Sequence, residues 1–263
     1  MSMAPQPLQM LILPEERVIV MVGAGGKTTL MYALAEALVK RETLVLVTTT
    51  TRMYPPVAGE VVLLESFAAA TNPLAELKAM TSTRKGVVTI AQKLDVSSGK
   101  LVGLNPECIG SLRQAAGAGR ILVEADGAAG RLLKVPAGHE PVVPKDTELC
   151  IGIMNLAALG QPFNEATVFR SELAAQRLDV RLGEPILPCH LLALSQHPSG
   201  LFQGCPTHAR RQVFLNQADL PGALTTAQTT AHRTNKLLSW AAGTARDGWY
   251  VPLPTTAGYS LPR

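Results

Sequence analysis

A chain of 263 residues, 47% of them hydrophobic, is long enough for one large α/β domain or two small ones and can bury a sizeable core. The net charge of +4 is mild and the basic residues are scattered, which argues against nucleic acid as the main partner. No apolar run reaches bilayer length, Pro14-Glu15-Glu16-Arg17 interrupts any leader-like start, and the four cysteines show no paired metal-ligand spacing, so no membrane, no signal peptide and a reducing cytoplasm are expected.

In chain order, residues 1–16 read as a loose lead-in. Val18–Val22 is a first apolar strand, followed by a glycine-rich turn and a helix with Leu30, Leu34 and Leu38 on one side, running to about Lys40-Arg41. Leu44–Thr48 is a second strand and Val61–Leu64 a third, with a helix over Pro73–Met80. Val87–Ala91 and Lys100–Leu104 flank Ser97-Ser98-Gly99 and predict a β-hairpin. A helix over Glu107–Ala116 precedes the buried strand Ile121–Val123, and Leu149–Met154 is a further apolar strand without alternation, as parallel sheets require. From about Leu156 to Pro206 strand signals are weak, and Glu172–Leu178 and Pro188–Gln196 predict helices of an insertion. Val213–Leu215 returns to strand, a helix is expected over Leu224–Ala242, and a last strand lies near Trp249–Leu253. A tail with Pro254 and Pro262 is expected to fray. The expectation is a single α/β domain over 1–263: a mostly parallel, P-loop NTPase-like sheet, helices on both faces, a β-hairpin and a helical insertion at 156–206.

Four polar motifs follow strand ends, where open parallel sheets bind ligands. The first is Val22-Gly-Ala-Gly-Gly-Lys-Thr-Thr29. Gly23, Ala24, Gly25 and Gly26 keep the turn small enough for backbone N–H groups to close round an anion, and the helix start adds free N–H groups and a positive dipole end. Lys27 suits the outer phosphates, the Thr28 hydroxyl suits Mg²⁺, and Thr29 continues the helix start. This is a P-loop with one departure: Met21 stands where the common pattern has its first glycine. The short form resembles the loops of Mur-type ligases and, more loosely, those of the MinD, nitrogenase-iron-protein and signal-recognition GTPase class.

The second motif is Thr48–Thr51 with Arg52, where Thr49 and Thr50 suit phosphate or substrate contact although a threonine run also fits strand propensity alone. The third is Glu124-Ala-Asp-Gly127. Asp126 follows its strand as a metal-holding acid would, with Mg²⁺ between it and Thr28, and Glu124 is the competitor because Mur-type ligases place a glutamate at such a strand end. Arg131 and Lys134 beyond it suit phosphate charge as well as they suit solvent. Glu140, in a stiff proline-bounded loop, has no assigned role, and Cys189-His190 is too isolated for a metal site. The fourth motif, Asn216-Gln-Ala-Asp219, resembles the Asn-Lys-x-Asp guanine motif with Gln217 in the lysine's place, and Asn216 and Asp219 are the candidate base contacts.

Together the glycine loop, Val47-Thr-Thr-Thr-Thr-Arg-Met-Tyr-Pro-Pro56, Val123-Glu-Ala-Asp-Gly-Ala-Ala-Gly130, Lys134-Val-Pro136, Glu140-Pro-Val-Val-Pro144 and Leu215-Asn-Gln-Ala-Asp219 resemble the YqeC family, in order from about residue 10 to 220. The resemblance implies an accessory protein in selenium cofactor biosynthesis, acting with a selenium-dependent molybdenum hydroxylase or its maturation proteins. Its expected ligands are Mg²⁺ and GTP or ATP. The leading expectation is a nucleoside-triphosphate-hydrolysing factor with Lys27, Asp126 and Glu124 at the reacting end, its site completed by a client or by a second copy in a homodimer. The alternatives are a Mur-ligase-like enzyme or kinase that activates a small substrate with ATP, and a module that only senses nucleotide.

Overall fold

A computed structural model describes residues 4–67, 73–234 and 238–255. Its framework is a ten-stranded sheet in the order Gln6–Pro7, Trp249–Leu253, Ser239–Thr244, Arg210–Asn216, Leu149–Asn155, Val18–Gly23, Arg120–Glu124, Leu44–Thr49, Gly86–Ala91, Glu60–Leu63. Every pairing from Ser239–Thr244 across to Glu60–Leu63 is parallel, and the two strands at the other edge are antiparallel. This is the mostly parallel α/β architecture expected. The central strands are buried along their whole length, which explains why their sequences run apolar without alternation.

Successive strand residues feed two cores. Ile19 and Met21 pack with Leu30, Met31, Leu34 and Leu38 of the Lys27–Leu38 helix, while Val18, Val20 and Val22 pack on the opposite face. That second face is covered by helices Ile109–Ala115, Ser171–Leu178, Pro188–Gln196 and Ala223–Ala231, represented in its core by Ile109, Leu112, Ala174, Leu191 and Ala227. Each fully buried leucine contributes on the order of 1.5–3 kcal/mol relative to exposure. Helices Ser171–Leu178 and Pro188–Gln196 lie in the segment expected to be an insertion, between the Leu149–Asn155 and Arg210–Asn216 strands.

Several expectations need correction. Residues 4–16 are not a loose lead-in: Gln6–Pro7 pairs with Trp249–Leu253, and Leu8, Leu11 and Ile12 are buried against the Lys27–Leu38 side. Glu16 is buried too, paired with Arg210 at 2.7 Å. The first helix stops at Leu38, before Lys40-Arg41. The Val87–Ala91 run is not a hairpin arm. It belongs to strand Gly86–Ala91, buried between two parallel neighbours, and the hairpin is the smaller Lys93–Asp95 with Lys100–Val102, joined by Arg52–Met53 into a separate three-stranded sheet. The helix expected to reach Ala242 ends at Ala231, and Ser239–Thr244 is a strand; 235–237 lie outside the described residues, as does the tail from 256. The alanine-rich run favours helix locally, but burial and close pairing override it: a Cβ on Gly243 would stand 2.3 Å from the Trp249 carbonyl oxygen.

Candidate functional site

The sheet reverses its direction of growth at Val18–Gly23. The chain first adds strands on the Arg120–Glu124 side, then Leu149–Asn155 and beyond on the other. A crevice at the carboxyl ends follows from that reversal, and a cleft of about 1040 Å³ lies there. Gly25 to Thr29, Glu124, Gly127 to Leu132, Asn155, Asn216 and Asp219 line it.

The glycine loop fits its surroundings too tightly for side chains. Gly25 and Gly26 have φ of +78° and +133°. A Cβ on Gly25 would lie 2.4 Å from Asn155 Cβ, and one on Gly26 would lie 2.2 Å from Asn216 Nδ2. Both amides do the same task. Asn155 Nδ2 and Asn216 Nδ2 each donate to the Gly25 carbonyl at 2.9 Å, turning that oxygen away from any anion in the loop. Asn216 Oδ1 also accepts from Ala245 N at 3.0 Å, which ties the loop to the far side of the cleft. Gly26 caps the following helix without a side chain, and no acid occupies its first turn. The first-turn N–H groups and the positive dipole end are thereby left for an incoming anion.

Behind the loop lies a buried chain of alternating charge. Lys27 Nζ donates to the Gly23 carbonyl at 2.7 Å and sits 3.2 Å from Asp126 Oδ1. Asp126 Oδ2 accepts from Gly23 N at 3.2 Å and lies 3.1 Å from Lys134 Nζ. Lys134 continues to Glu140 at 2.7 Å, and Glu140 to Arg170 at 2.6 Å. Burial pushes the Glu140 carboxyl up, but hydrogen bonds from Arg170 and Lys134 outweigh it and bring the pKa from 4.5 to about 2. Asp126 Oδ1 is buried and accepts no hydrogen bond among the described residues, so Lys27 is its charge partner.

Thr28 is set against Glu124 rather than Asp126: its hydroxyl donates to Glu124 Oε2 at 2.6 Å. Burial raises the Glu124 pKa, with Lys27 and the Thr28 bond pulling it back. Thr49 and Thr50 stand behind the cleft, their hydroxyls donating to the Glu124 and Val142 carbonyls, each at 2.7 Å; they hold the acid's strand end. Arg131 lies on the rim, with its guanidinium donating to the Glu165 and Ala129 carbonyls. Gln217, with φ of +62°, and exposed Asp219 line the cleft beyond Asn216.

Ala24 lies beneath the loop, its N–H bonded to the Ile153 carbonyl at 2.9 Å, and Thr29 lines the cleft on the helix. Asn155 was missed in the sequence. Its signal is that both neighbouring apolar strands end in asparagine, and the register sets Asn155 beside Asn216. Lys134 is the charge partner of both Asp126 and Glu140, and Glu140 is paired with Lys134 and Arg170.

Fold and site define an α/β protein with a glycine loop at the switch point of a mostly parallel sheet, two acids at the neighbouring strand end and two asparagines bracing the loop. The sequence model of the YqeC protein family matches residues 19–172, and the chain belongs to that family. A protein of Escherichia coli (strain K12), described as uncharacterized protein YqeC, is 35% identical over 200 residues, covering 76% of this chain and 75% of its own. No solved structure matches the chain. No helix among the described residues is long and apolar enough to cross a membrane.

Proposed function

We propose that the protein binds a nucleoside triphosphate with Mg²⁺ in this cleft and hydrolyses it as a maturation factor. The observation that carries the reading is the convergence of Lys27, Thr28 and Glu124 on a glycine loop at the sheet's switch point. The triphosphate lies along the loop and first-turn N–H groups. Lys27, with Asp126 behind it at 3.2 Å, would turn from the Gly23 carbonyl to meet a phosphate oxygen, exchanging a neutral acceptor for an anionic one.

Among the described residues no three His, Cys, Asp or Glu side chains form a metal cluster. That suits Mg²⁺, which takes few protein ligands and completes its shell with water and phosphate. Thr28 and Glu124 would hold it, with the unbonded Asp126 Oδ1 as acceptor for its water. Bound there, the ion would neutralise phosphate charge. Glu124→Gln is therefore expected to weaken Mg²⁺-dependent binding about tenfold or more, and Asp126→Asn less, with Mg²⁺-independent binding by either variant little changed. Calorimetric titration with and without Mg²⁺ checks this; the opposite ranking would make Asp126 the metal acid.

The biological setting extends from the family resemblance: maturation of a selenium-dependent molybdenum hydroxylase. A strain lacking the protein should make the hydroxylase polypeptide but leave it inactive with selenium supplied, and normal activity in that strain refutes the setting. The Thr28–Glu124 contact also favours a second reading, an ATP-dependent enzyme of Mur-ligase type activating a small substrate. A nucleotide panel separates the two. Release of diphosphate and phosphate without an acceptor supports the hydrolase, whereas turnover only with a small acceptor supports the second. The panel also reads base choice. Asp219, at the cleft, can accept from both N1–H and the N2 amine of guanine, whereas adenine presents an acceptor at N1. GTP is expected to bind about tenfold or more above ATP, and Asp219→Asn should lose GTP and gain XTP. A wild type preferring ATP assigns the loop to turn formation alone.

A further inference from the structure

The cleft is at the large end of small-molecule sites, and its two ends differ in chemistry. Ligand pockets for single small molecules run to about 300–1,000 Å³, and this cleft measures about 1040 Å³. Sheet order places Asn216 and its following loop two strands to one side of Val18–Gly23, and the Thr49-to-Arg52 segment two strands to the other. The Asn216 end carries Asp219, Arg246 and Asp247, a mixed-charge lining suited to a nucleoside. The opposite end is lined by Arg52, Tyr54 and Lys100. Beyond Glu124, which belongs to Thr28, the charged lining of this end is entirely cationic.

The cations are built into the small sheet rather than strewn on a loop. Arg52 and Lys100 come from adjacent strands Arg52–Met53 and Lys100–Val102. Lys100 Nζ lies over the Tyr54 ring, 4.8 Å from its centroid, and Arg52 is oriented by Asp95 at 3.3 Å. The sheet is fastened to the acid-bearing region: Gly103 N donates to Thr51 O at 2.7 Å and Leu104 N to Thr49 O at 2.8 Å. Gly103 allows that approach, since a Cβ there would stand 2.5 Å from Thr51 N. Tyr54 is nevertheless 64% exposed, a large aromatic surface held open at the cleft.

We propose that Arg52, Tyr54 and Lys100 form a second-ligand subsite for a small aromatic anion, placed at the phosphate end of the nucleotide. The inference rests on the nucleotide reading above and adds the class of its second substrate. The cations receive the anionic group and the exposed tyrosine ring receives the flat one. The probe is 1-naphthyl phosphate, followed by its own fluorescence, added to wild type with saturating Mg²⁺ and a non-hydrolysable triphosphate. Binding is expected alongside nucleotide, with 1-naphthol and inorganic phosphate each at least about tenfold weaker. Lys100→Ala should weaken the probe about tenfold or more and Tyr54→Ala about threefold to tenfold, with nucleotide affinity in both unchanged within about twofold. Both side chains project into the cleft, so circular dichroism should show native folds. No probe binding, complete displacement by nucleotide, or equal binding to both variants overturns the subsite. Nucleotide affinity is titrated separately, in wild type and Lys27→Ala. If nucleotide itself does not bind, the functional reading fails, and the subsite is judged by the same variants with probe alone.

Discussion

Lys27→Ala is expected to lose about 30- to 100-fold in triphosphate affinity while remaining folded. The lysine is buried, yet its contacts are a single backbone carbonyl, Gly23 O at 2.7 Å, and the Asp126 carboxylate at 3.2 Å. Removing it does not strand a charge, because Asp126 keeps Lys134 at 3.1 Å and the Gly23 N–H. The fold therefore tolerates the change better than a buried-ion deletion usually allows. The ligand does not: a charge-assisted bond to phosphate is worth roughly 2–3 kcal/mol, and the loop N–H groups cannot replace a full positive charge. Titration with GTP and ATP, beside a thermal melt, checks both halves. Unchanged affinity in a folded variant would remove the phosphate-site assignment, and the contacts to Gly23 and Asp126 would then be the lysine's whole purpose.

The features readable in the sequence were those whose physics is local. The Val18–Val22 run, the glycine turn and the Leu30-Leu34-Leu38 stripe announce strand, loop and helix because hydrophobic period and turn chemistry agree there. Glu124 and Asp126 stand out because acids directly after a buried strand have few structural reasons to be there. What was not readable depends on partners distant in sequence. Nothing in Leu8–Ile12 says that an edge strand and the Lys27–Leu38 helix will cover it. Trp240-Ala-Ala-Gly243 reads as helix until Trp249–Leu253 folds back along it. The choice between the two acids was open for the same reason. Strand periodicity alone would set Glu124 and Asp126, two residues apart, on one face; the chain leaves the strand at Glu124, and only the folded side chains show Thr28 on one acid and two lysines round the other. Glu140 had no role in the sequence because its partners, Lys134 and Arg170, lie on separate elements.

Lys134→Met is expected to destabilise the protein by about 3 kcal/mol at neutral pH, a drop in Tm on the order of 5–10 °C. Lys134 is 1% exposed and joins four groups: Asp126 Oδ2, Glu140 Oε2, the Gly127 carbonyl and, at 5.5 Å, the Phe169 ring. Methionine fills similar volume, so the loss is electrostatic rather than a cavity. Deleting one member of a buried ion pair commonly costs 3–5 kcal/mol; the low end applies because Asp126 keeps Lys27 and Glu140 keeps Arg170. The pH dependence identifies the cause. Glu140 has its pKa lowered to about 2, so its contribution is present above its ordinary 4.5 and is lost as pH falls from there through 2. Removing Lys134 withdraws one of the two cations that hold the value down, so the acid limb of the variant moves to higher pH. The gap between wild type and variant should then be widest near neutrality and close as Glu140 protonates, with pH falling through about 2. Urea unfolding across pH 2–8 measures it. A gap that stays constant with pH would assign the lost stability to packing against Phe169, and no gap at all would show that Arg170 and Lys27 suffice to hold the two acids without the lysine between them.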